Sequence, residues 1–303
     1  MASARTLDII LNPISGGGAG RRARPEISRA LDARGVQYHI HETEGPGDAR
    51  ERARALSRPG AVIVAAGGDG TIHEVANGLL DAGGLATLGL IPVGTGNDFV
   101  KVVPGTRKRE LAYETLASGT QRRFDAGLVR WNGGVEHFIN GMGTGIDVEV
   151  VRQMKRLPQL PGPIKYLMGL FRALVHYRPV QLDASFNGSA FEKRVMIIAL
   201  GNGVCQGGGF YLAPDAVADD GLLDLTVVDE LNLVEIAQVL PRILKGTQRG
   251  HRKVDMRTGR RLEIRSTDGR PLFFHLDGEL REPAGATELT VEVIPAALSV
   301  LAR

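Results

Sequence analysis

The first hundred residues repeat one pattern that few folds accommodate. A short apolar run is followed by a glycine-rich turn and then by helical periodicity, as in TLDIILNP (6–13), AVIVAAGGDG (61–70) and ATLGLIPVGTGND (86–98). Apolar runs of this length, bounded by turn residues, are typical of strands buried on both faces. Strands that alternate with helices predict a parallel, doubly wound α/β sheet. We therefore expect an α/β domain over residues 1–123.

From about Phe124 onward the segments become strand-like and are joined by tight turns. Asn-Gly at 132–133 and 187–188 and Asp-Gly at 268–269 are hairpin signals. Helical patterns interrupt the strands near 148–177 and 232–246. This organisation predicts a β-rich antiparallel sandwich over 124–287, with a tail of about 288–303 that belongs to the α/β domain.

Composition limits the compartment and the partners. The single cysteine, Cys205, allows no internal disulfide, so a reducing cytoplasmic compartment is the simplest interpretation. The net charge of +3 is too small for a protein that coats nucleic acid, and no nucleic-acid partner is expected. No apolar stretch reaches the ~20 residues of a spanning helix, so no transmembrane segment is predicted. Attachment to a membrane surface and a homodimer both stay open.

The stretch GGDGT (67–71) has the composition of an anion site at a strand-to-helix junction. Gly67, Gly68 and Gly70 let backbone N–H groups point at a small anion, and the following helix N-terminus adds partial positive charge. Thr71 can cap that helix or bind a phosphate oxygen. Asp69 would repel a phosphate unless a divalent cation lies between them. The alternative is a tight turn with an aspartate N-cap.

Two further glycine loops follow predicted strands of the same sheet. They are NPISGGG (12–18) and IPVGTGNDF (91–99), and the second carries another carboxylate, Asp98. Because the carboxyl ends of parallel strands meet at one sheet edge, we expect the loops to converge on one site. Neither a Walker A sequence nor a Rossmann fingerprint is present.

Five motifs in order resemble one family of kinases. NPISGGG, GGDGTIHEV, PVGTGNDF, LAPDAVADDGLLDL and DGE (277–279) resemble the diacylglycerol kinase catalytic-domain family, most of all its soluble bacterial lipid kinases. They are also similar to motifs of sphingosine and ceramide kinases. GGDGT alone is shared with NAD kinases and phosphofructokinases, whose α/β fold the first domain should have. The resemblance implies transfer of the γ-phosphoryl group of ATP to a lipid hydroxyl, most simply diacylglycerol to give phosphatidic acid.

The resemblance also implies which residues bind ATP and Mg²⁺. The nucleotide positions are Asn12, Pro13, Ser15, Gly16, Thr43, Gly67, Gly68, Asp69, Gly70, Thr71, His73, Gly94, Thr95 and Asn97. Asp69 and Asp98 would organise Mg²⁺, directly or through water. Position 73 departs from the family, which usually has asparagine there. The imidazole of His73 can still donate one hydrogen bond, and an exposed histidine without a role is the alternative.

Two acidic segments of the second domain receive roles from the same resemblance. Glu279 would accept the proton of the attacking hydroxyl, as Asp277 and Gly278 shape its turn. The alternative is an ordinary hairpin with a solvated glutamate. In APDAVADDGLLDL (213–225), a structural magnesium ion would be held by Val217, Asp220 and Leu222, partly through main-chain carbonyls. Solvated turn residues are the alternative there.

The segment 152–179 combines six Lys/Arg residues with an apolar helical stripe at positions 167, 170, 171, 174 and 175. Such a stripe usually packs on a core, which we expect here, but a basic amphipathic helix can also lie on an anionic membrane. The lipid substrate would then be met at a membrane surface, at the inner face of the membrane. Two other functions stay open: an NAD kinase-like phosphotransferase, and a non-catalytic nucleotide- or lipid-binding regulator of the same fold.

Overall fold

The structure is a computed structural model that describes residues 5–94, 96–158, 160, 162–177 and 179–303, without the side chains of 162, 163, 175 and 176. Chain contacts divide it into two compact units. The first contains Met1–Phe124 and Ala296–Arg303, and the second contains Asp125–Pro295.

The first unit alternates strands and helices. Its elements are β1 (Thr6–Leu11), α1 (Ser15–Asp32), β2 (Gln37–Glu42), α2 (Asp48–Leu56), β3 (Val62–Gly67), α3 (Asp69–Asp81), β4 (Thr87–Pro92) and α4 (Arg109–Ser118). The strands are parallel in the order β2-β1-β3-β4. Strands β3 and β4 are buried along their whole length, as expected for a parallel sheet with helices on its faces. The predicted doubly wound α/β domain is confirmed.

One face of this sheet packs on α1. Ile9 and Val64 of the strands belong to one buried cluster with Ala23, Ile27 and Leu31 of the helix. The three helical residues recur at intervals of four, which puts them on one face of α1. This packing fixes where α1 begins relative to the carboxyl ends of β1 and β3. From these two neighbouring strands, the chain continues to opposite sides of the sheet.

The second unit is mostly antiparallel. Its elements in chain order are β5 (Thr120–Trp131), β6 (Gly134–Phe138), β7 (Gly141–Gly145), α5 (Ile146–Lys155), α6 (Gly162–His176), β8 (Val180–Phe186), β9 (Ser189–Gly201), β10 (Leu223–Asp229), α7 (Leu233–Lys245), β11 (Val254–Gly259), β12 (Arg261–Ser266), β13 (Phe274–Leu276), β14 (Glu279–Arg281) and β15 (Glu288–Ala302). The start of β5 and the end of β15 belong to the first unit, where Ser299 pairs in parallel with Thr87.

The main path of strands in the second unit runs β14-β13-β7-β9-β8-β12-β15. These strands, together with β5 and β6, enclose an apolar core that includes Phe138, Met142, Leu200 and Phe274. Another cluster lies where α5, α6 and α7 pack, with Tyr166 and Phe210 among its members. The predicted β-rich domain is confirmed.

One local expectation is wrong. Asp268-Gly269 does not form a hairpin, because β12 before it pairs with β8 and β15, and β13 after it pairs with β7 and β14. Asp268 instead accepts hydrogen bonds from the hydroxyl of Ser266 and the main chain of Arg270. The helical stretch expected near 148–177 contains two helices, α5 and α6, which are separated by a segment with prolines at 158 and 161.

The Asn-Gly pairs at 132–133 and 187–188 do connect hairpins, β5–β6 and β8–β9. Within the described part of the chain, the helices are too short or too polar to cross a bilayer.

Candidate active site

Three glycine loops leave the same edge of the parallel sheet. The chain leaves β1 at Asn12, β3 at Gly68 and β4 at Val93. Because β1 and β3 are neighbours whose chains continue to opposite sides, this edge is the switch point where α/β sheets bind ligands.

Asn12 ties the first loop to the second. Its backbone N–H donates to the carbonyl of Ala66 (3.0 Å), and its side-chain Nδ2 donates to Oγ1 of Thr71 (3.0 Å). Its Oδ1 accepts the N–H of Ile14 (3.1 Å) and so shapes the turn that follows. Thr71 therefore links two loops, and the cap of α3 is Gly68, without a side-chain cap bond.

One glycine in each loop, namely Gly16, Gly68 and Gly94, lies where a side chain would crowd a neighbouring loop. Gly16 has φ +58°, and a Cβ there would stand 2.7 Å from the carbonyl oxygen of Val93 in the third loop. A Cβ on Gly68 would meet the Cα of Gly94 at 3.3 Å and Oγ of Ser15 at 3.4 Å. The predicted convergence of the loops is thus present within the first unit, and glycine is what permits the close approach.

Asp69 binds the third loop through both carboxylate oxygens. Oδ1 accepts the N–H of Asp98 (2.6 Å), and Oδ2 accepts the N–H of Asn97 (2.7 Å). Burial and, second, the charge of Asp98 raise the pKa of Asp69 to about 7, against the opposing hydrogen bonds and Lys101. Asp98 is itself buried and pairs with Nζ of Lys101 (2.6 Å). The alternative of a plain N-cap aspartate is wrong, since Asp69 makes no cap bond.

The surroundings of Asp69 and Asp98 suit a cation whose remaining ligands are phosphate oxygens or water molecules. Among the described residues, no three His, Cys, Asp or Glu side chains come together to hold a metal ion. Asn97 has φ +51°, and its buried Oδ1 has no hydrogen-bond partner within the described part of the chain. An unpaired buried acceptor is costly, so this oxygen is suited to a ligand or a metal-bound water.

The other predicted nucleotide residues lie in several different places. Thr43 follows β2 at the same edge and donates its N–H to the carbonyl of Leu11 (2.9 Å). Pro13 lies in the first loop and Gly70 in the first turn of α3, whereas Thr95 lies outside the described residues. His73 is only 2% exposed on the buried side of α3, so the alternative of a solvent-exposed histidine is wrong.

The DGE motif forms the turn between β13 and β14 in the second unit. Asp277 and Gly278 both have left-handed backbone, with φ of +51° and +86°, as a two-residue hairpin turn requires. The carboxylate of Asp277 accepts three backbone N–H groups, from Ile139 (3.1 Å), Asn140 (2.8 Å) and Gly141 (2.9 Å). Asp277 therefore fixes the turn to the segment that leads into β7.

Glu279 follows this turn as the first residue of β14. Its side chain is 38% exposed, and Oε2 lies 3.2 Å from Nζ of Lys155 on α5. An exposed pair of this kind is weak, so the carboxylate can exchange its partner for a substrate hydroxyl. The hairpin is thus present, and its glutamate makes one exposed ion pair.

A buried polar network beneath this turn is not visible in the sequence. His275 Nε2 lies 2.7 Å from Oδ2 of Asp147, and the hydroxyl of Tyr166 donates to Oδ1 of Asp147 (2.9 Å). The N–H of Gly278 donates to Nδ1 of His275 (3.3 Å). The positions 147, 166 and 275 are far apart in the chain and match no motif, so only the fold brings them together.

The acidic loop before β10 is folded around Asp125. The N–H of Gly221 donates to the carboxylate of Asp125 (2.7 Å), and the N–H of Asp125 donates to the carbonyl of Ala218 (2.7 Å). Asp220 accepts the N–H of Leu222 (2.9 Å), whereas the Val217 side chain is exposed. Burial, followed by the charges of Asp220 and Asp215, raises the pKa of Asp224 to about 6.

Comparison with known proteins covers both units. A model of the diacylglycerol kinase catalytic domain matches residues 6–129, and one of the YegS C-terminal NAD kinase beta sandwich-like domain matches 140–302. A diacylglycerol kinase of Bacillus subtilis (strain 168) is 33% identical over 277 residues, which cover 89% of this chain and 88% of the relative. One of Staphylococcus aureus (strain JH9) is 31% identical over 290 residues, which cover 94% and 89%.

Solved structures show the same fold. The crystal structure of a diacylglycerol kinase from Bacillus anthracis str. Sterne has a TM-score of 0.72 at 19% identity, and covers 100% of this chain and 98% of that one. Another structure from the same organism has a TM-score of 0.79 at 23% identity with the same coverage. The matching family models, together with relatives that are 33% and 31% identical over most of the chain, establish that the chain belongs to the diacylglycerol kinase family and is a lipid kinase.

Proposed function

We propose that the enzyme transfers the γ-phosphoryl group of ATP to the free hydroxyl of diacylglycerol, giving phosphatidic acid. The observation that carries the proposal is the contact of three glycine loops around Asp69 in the first unit. Backbone N–H groups of such loops bind phosphate, and the start of α3 adds its dipole. The acceptor follows from the relatives, which are named diacylglycerol kinases.

Asp69 and Asp98 are the residues that would hold Mg²⁺ with the phosphates. Burial and then the neighbouring charge of Asp98 raise the pKa of Asp69, and a divalent cation would relieve the repulsion between the two carboxylates. Two protein carboxylates with phosphate oxygens and water are a usual ligand set for Mg²⁺. Bound there, the ion would neutralise charge on the phosphates during transfer.

Glu279 is the proposed general base. As the lipid oxygen bonds to the γ-phosphorus, its proton passes to the carboxylate and ADP leaves. The three N–H groups on Asp277 hold the turn, which limits how far Glu279 can drift. For the acidic loop, we propose that Val217, Asp220 and Leu222 hold a second, structural magnesium ion.

An assay with radiolabelled ATP tests this function. We expect labelled phosphatidic acid when diacylglycerol is the acceptor. We expect no labelled product when NAD, phosphatidylglycerol or a sphingoid base is offered instead. Glu279→Gln should retain ATP binding but lose about 10²-fold or more in kcat, whereas Glu282→Gln on the same hairpin should stay active. Labelled NADP would show an NAD kinase instead, and tight ATP binding without any product would show a regulator. A fully active Glu279→Gln enzyme would refute the assignment of the base.

We further propose that α6 places the enzyme on the inner face of an anionic membrane. The expected packed stripe is only partly correct, because Leu170 is buried while Leu167 and Phe171 are exposed, Phe171 by 72%. The outward side carries four apolar residues at helical spacing: Ile164, Leu167, Met168 and Phe171. No acidic residue occurs between Glu149 and Asp183, a span that contains six Lys/Arg. An apolar helix face in a basic segment is suited to an anionic bilayer.

Vesicle co-sedimentation without nucleotide tests this contact apart from catalysis. We expect binding to phosphatidylglycerol-containing vesicles, weaker binding to pure phosphatidylcholine, and a loss of about tenfold on Phe171→Ser. The control is Leu233→Ser on α7, because Leu233 is also apolar and 79% exposed. Equal losses for both variants, or equal binding to both vesicles, would contradict the proposal.

A further inference from the structure

The turn that carries Glu279 is held from below by a buried histidine. His275 is 2% exposed, and its ring uses both nitrogens. Nδ1 accepts the N–H of Gly278 at 3.3 Å, and Nε2 is 2.7 Å from a carboxylate oxygen of Asp147. Since an N–H points at Nδ1, the ring proton must lie on Nε2 and donate to Asp147.

Asp147 is fixed in turn by its other oxygen. Tyr166 donates its hydroxyl to Oδ1 at 2.9 Å, and both residues are buried. Both oxygens of Asp147 therefore act as hydrogen-bond acceptors, as those of an ionised carboxylate do. A charged carboxylate at this place selects the Nε2–H tautomer of the imidazole.

The backbone is shaped to let this pair meet. A Cβ on Gly143, which pairs with His275 across β7 and β13, would lie 2.5 Å from Nε2. The backbone of Gly143 lies close to Nε2, and the Gly278 N–H binds Nδ1. Together these two contacts hold the imidazole ring of His275 in one position. Gly278 immediately precedes Glu279, so the peptide held by His275 sets the direction in which the glutamate leaves the turn.

We infer that His275 is a positioning residue for Glu279, with Asp147 selecting the tautomer that can accept the Gly278 N–H. The inference rests on the proposed role of Glu279 as base. His275 does not touch the reacting atoms. It keeps the carboxylate within reach of the lipid hydroxyl, and misplacement of a reacting group by about 1 Å can reduce the rate about 10²-fold.

Two substitutions of His275 separate its two bonds. In His275→Asn the amide oxygen can occupy the place of Nδ1 and accept the Gly278 N–H, but the side chain is too short for Asp147. In His275→Gln the amide nitrogen can reach the place of Nε2 and donate to Asp147, but the acceptor for Gly278 is lost. We expect His275→Asn to keep kcat within a few-fold and His275→Gln to lose about 10- to 100-fold. The KM for ATP should stay unchanged in both.

A double-mutant cycle with Glu279→Gln separates positioning from general stability. If His275 acts through Glu279, His275→Gln should cause no further loss of kcat in the Glu279→Gln background. Asp147→Asn supplies a second variant, since its amide can keep the Tyr166 bond and donate to Nε2. This hydrogen bond forces the imidazole proton onto Nδ1, where it faces the Gly278 N–H. We therefore expect kcat to fall while the fold is retained.

Losses that add in the cycle, or a His275→Asn enzyme no faster than His275→Gln at equal thermal stability, would overturn the inference. If Asp147→Asn is folded and fully active, the tautomer argument is wrong. Full activity of the single Glu279→Gln variant would instead refute the proposed base itself, so the two failures are distinguishable.

Discussion

Gly16→Ala should separate the glycine loops and weaken ATP binding. Its Cβ would stand 2.7 Å from the carbonyl oxygen of Val93, whereas ordinary contact begins at 3.4 Å, so the first and third loops must part by about 0.7 Å. The left-handed φ of +58° adds strain of about 1–2 kcal/mol, and overpacking adds about 1–3 kcal/mol.

The effect on affinity follows from the same displacement. A hydrogen bond from a loop amide to a charged phosphate contributes about 1.5–3 kcal/mol. Losing one of them raises the Kd for ATP about 10- to 100-fold, since about 1.4 kcal/mol corresponds to a factor of ten. Isothermal titration with Mg²⁺ and ATP measures this change, and urea unfolding measures the change in stability.

Gly35→Ala is the matched control for strain. Gly35 has a similar φ of +63° in the same unit, but nothing lies within 4 Å of its Cβ position. It should lose about 1–2 kcal/mol of stability from backbone strain and keep its affinity for ATP. Equal affinities for the two variants would refute the view that the loops form one phosphate site.

Three further outcomes are expected. Because the pKa of Asp69 is raised to about 7 and Mg²⁺ needs the ionised carboxylate, the affinity for Mg²⁺–ATP should rise with pH through 7 and then level off. Titration calorimetry should show no such rise for Asp69→Asn. A wild-type affinity that does not change with pH would contradict this prediction. Asp277→Asn should lower the free energy of unfolding by about 1–3 kcal/mol, because an amide N–H would face the Ile139 N–H; an unchanged urea midpoint would argue against that bond. Millimolar Mg²⁺ without nucleotide should raise the Tm of the wild type more than that of Asp220→Asn, and equal increases would remove Asp220 from the metal site.

The sequence predicted the features that depend on local pattern. The alternation of apolar runs, glycine turns and helices indicated the parallel sheet, and Asn187-Gly188 indicated a hairpin that is present. The hairpin predicted at Asp268-Gly269 is absent. The dipeptide lies in a loop in which Asp268 accepts hydrogen bonds from Ser266 and Arg270. A turn signal does not say which strands will pair.

The supports of the site could not be predicted in the same way. The DGE motif pointed to Glu279, but the three amides that bind Asp277 come from residues 139–141, and His275 meets Asp147 across 128 positions of sequence. These contacts depend on the register of β13 against β7, which no short-range pattern encodes. Likewise, the apolar stripe of α6 gave no sign that Leu170 would be buried while Phe171 would be exposed.

A crystal structure with Mg²⁺ and a non-hydrolysable ATP analogue tests the central claim most directly. We predict that the triphosphate lies against backbone N–H groups of all three glycine loops, with the metal beside Asp69 and Asp98. A triphosphate bound elsewhere, or one that contacts a single loop with the metal remote from both aspartates, would contradict the account.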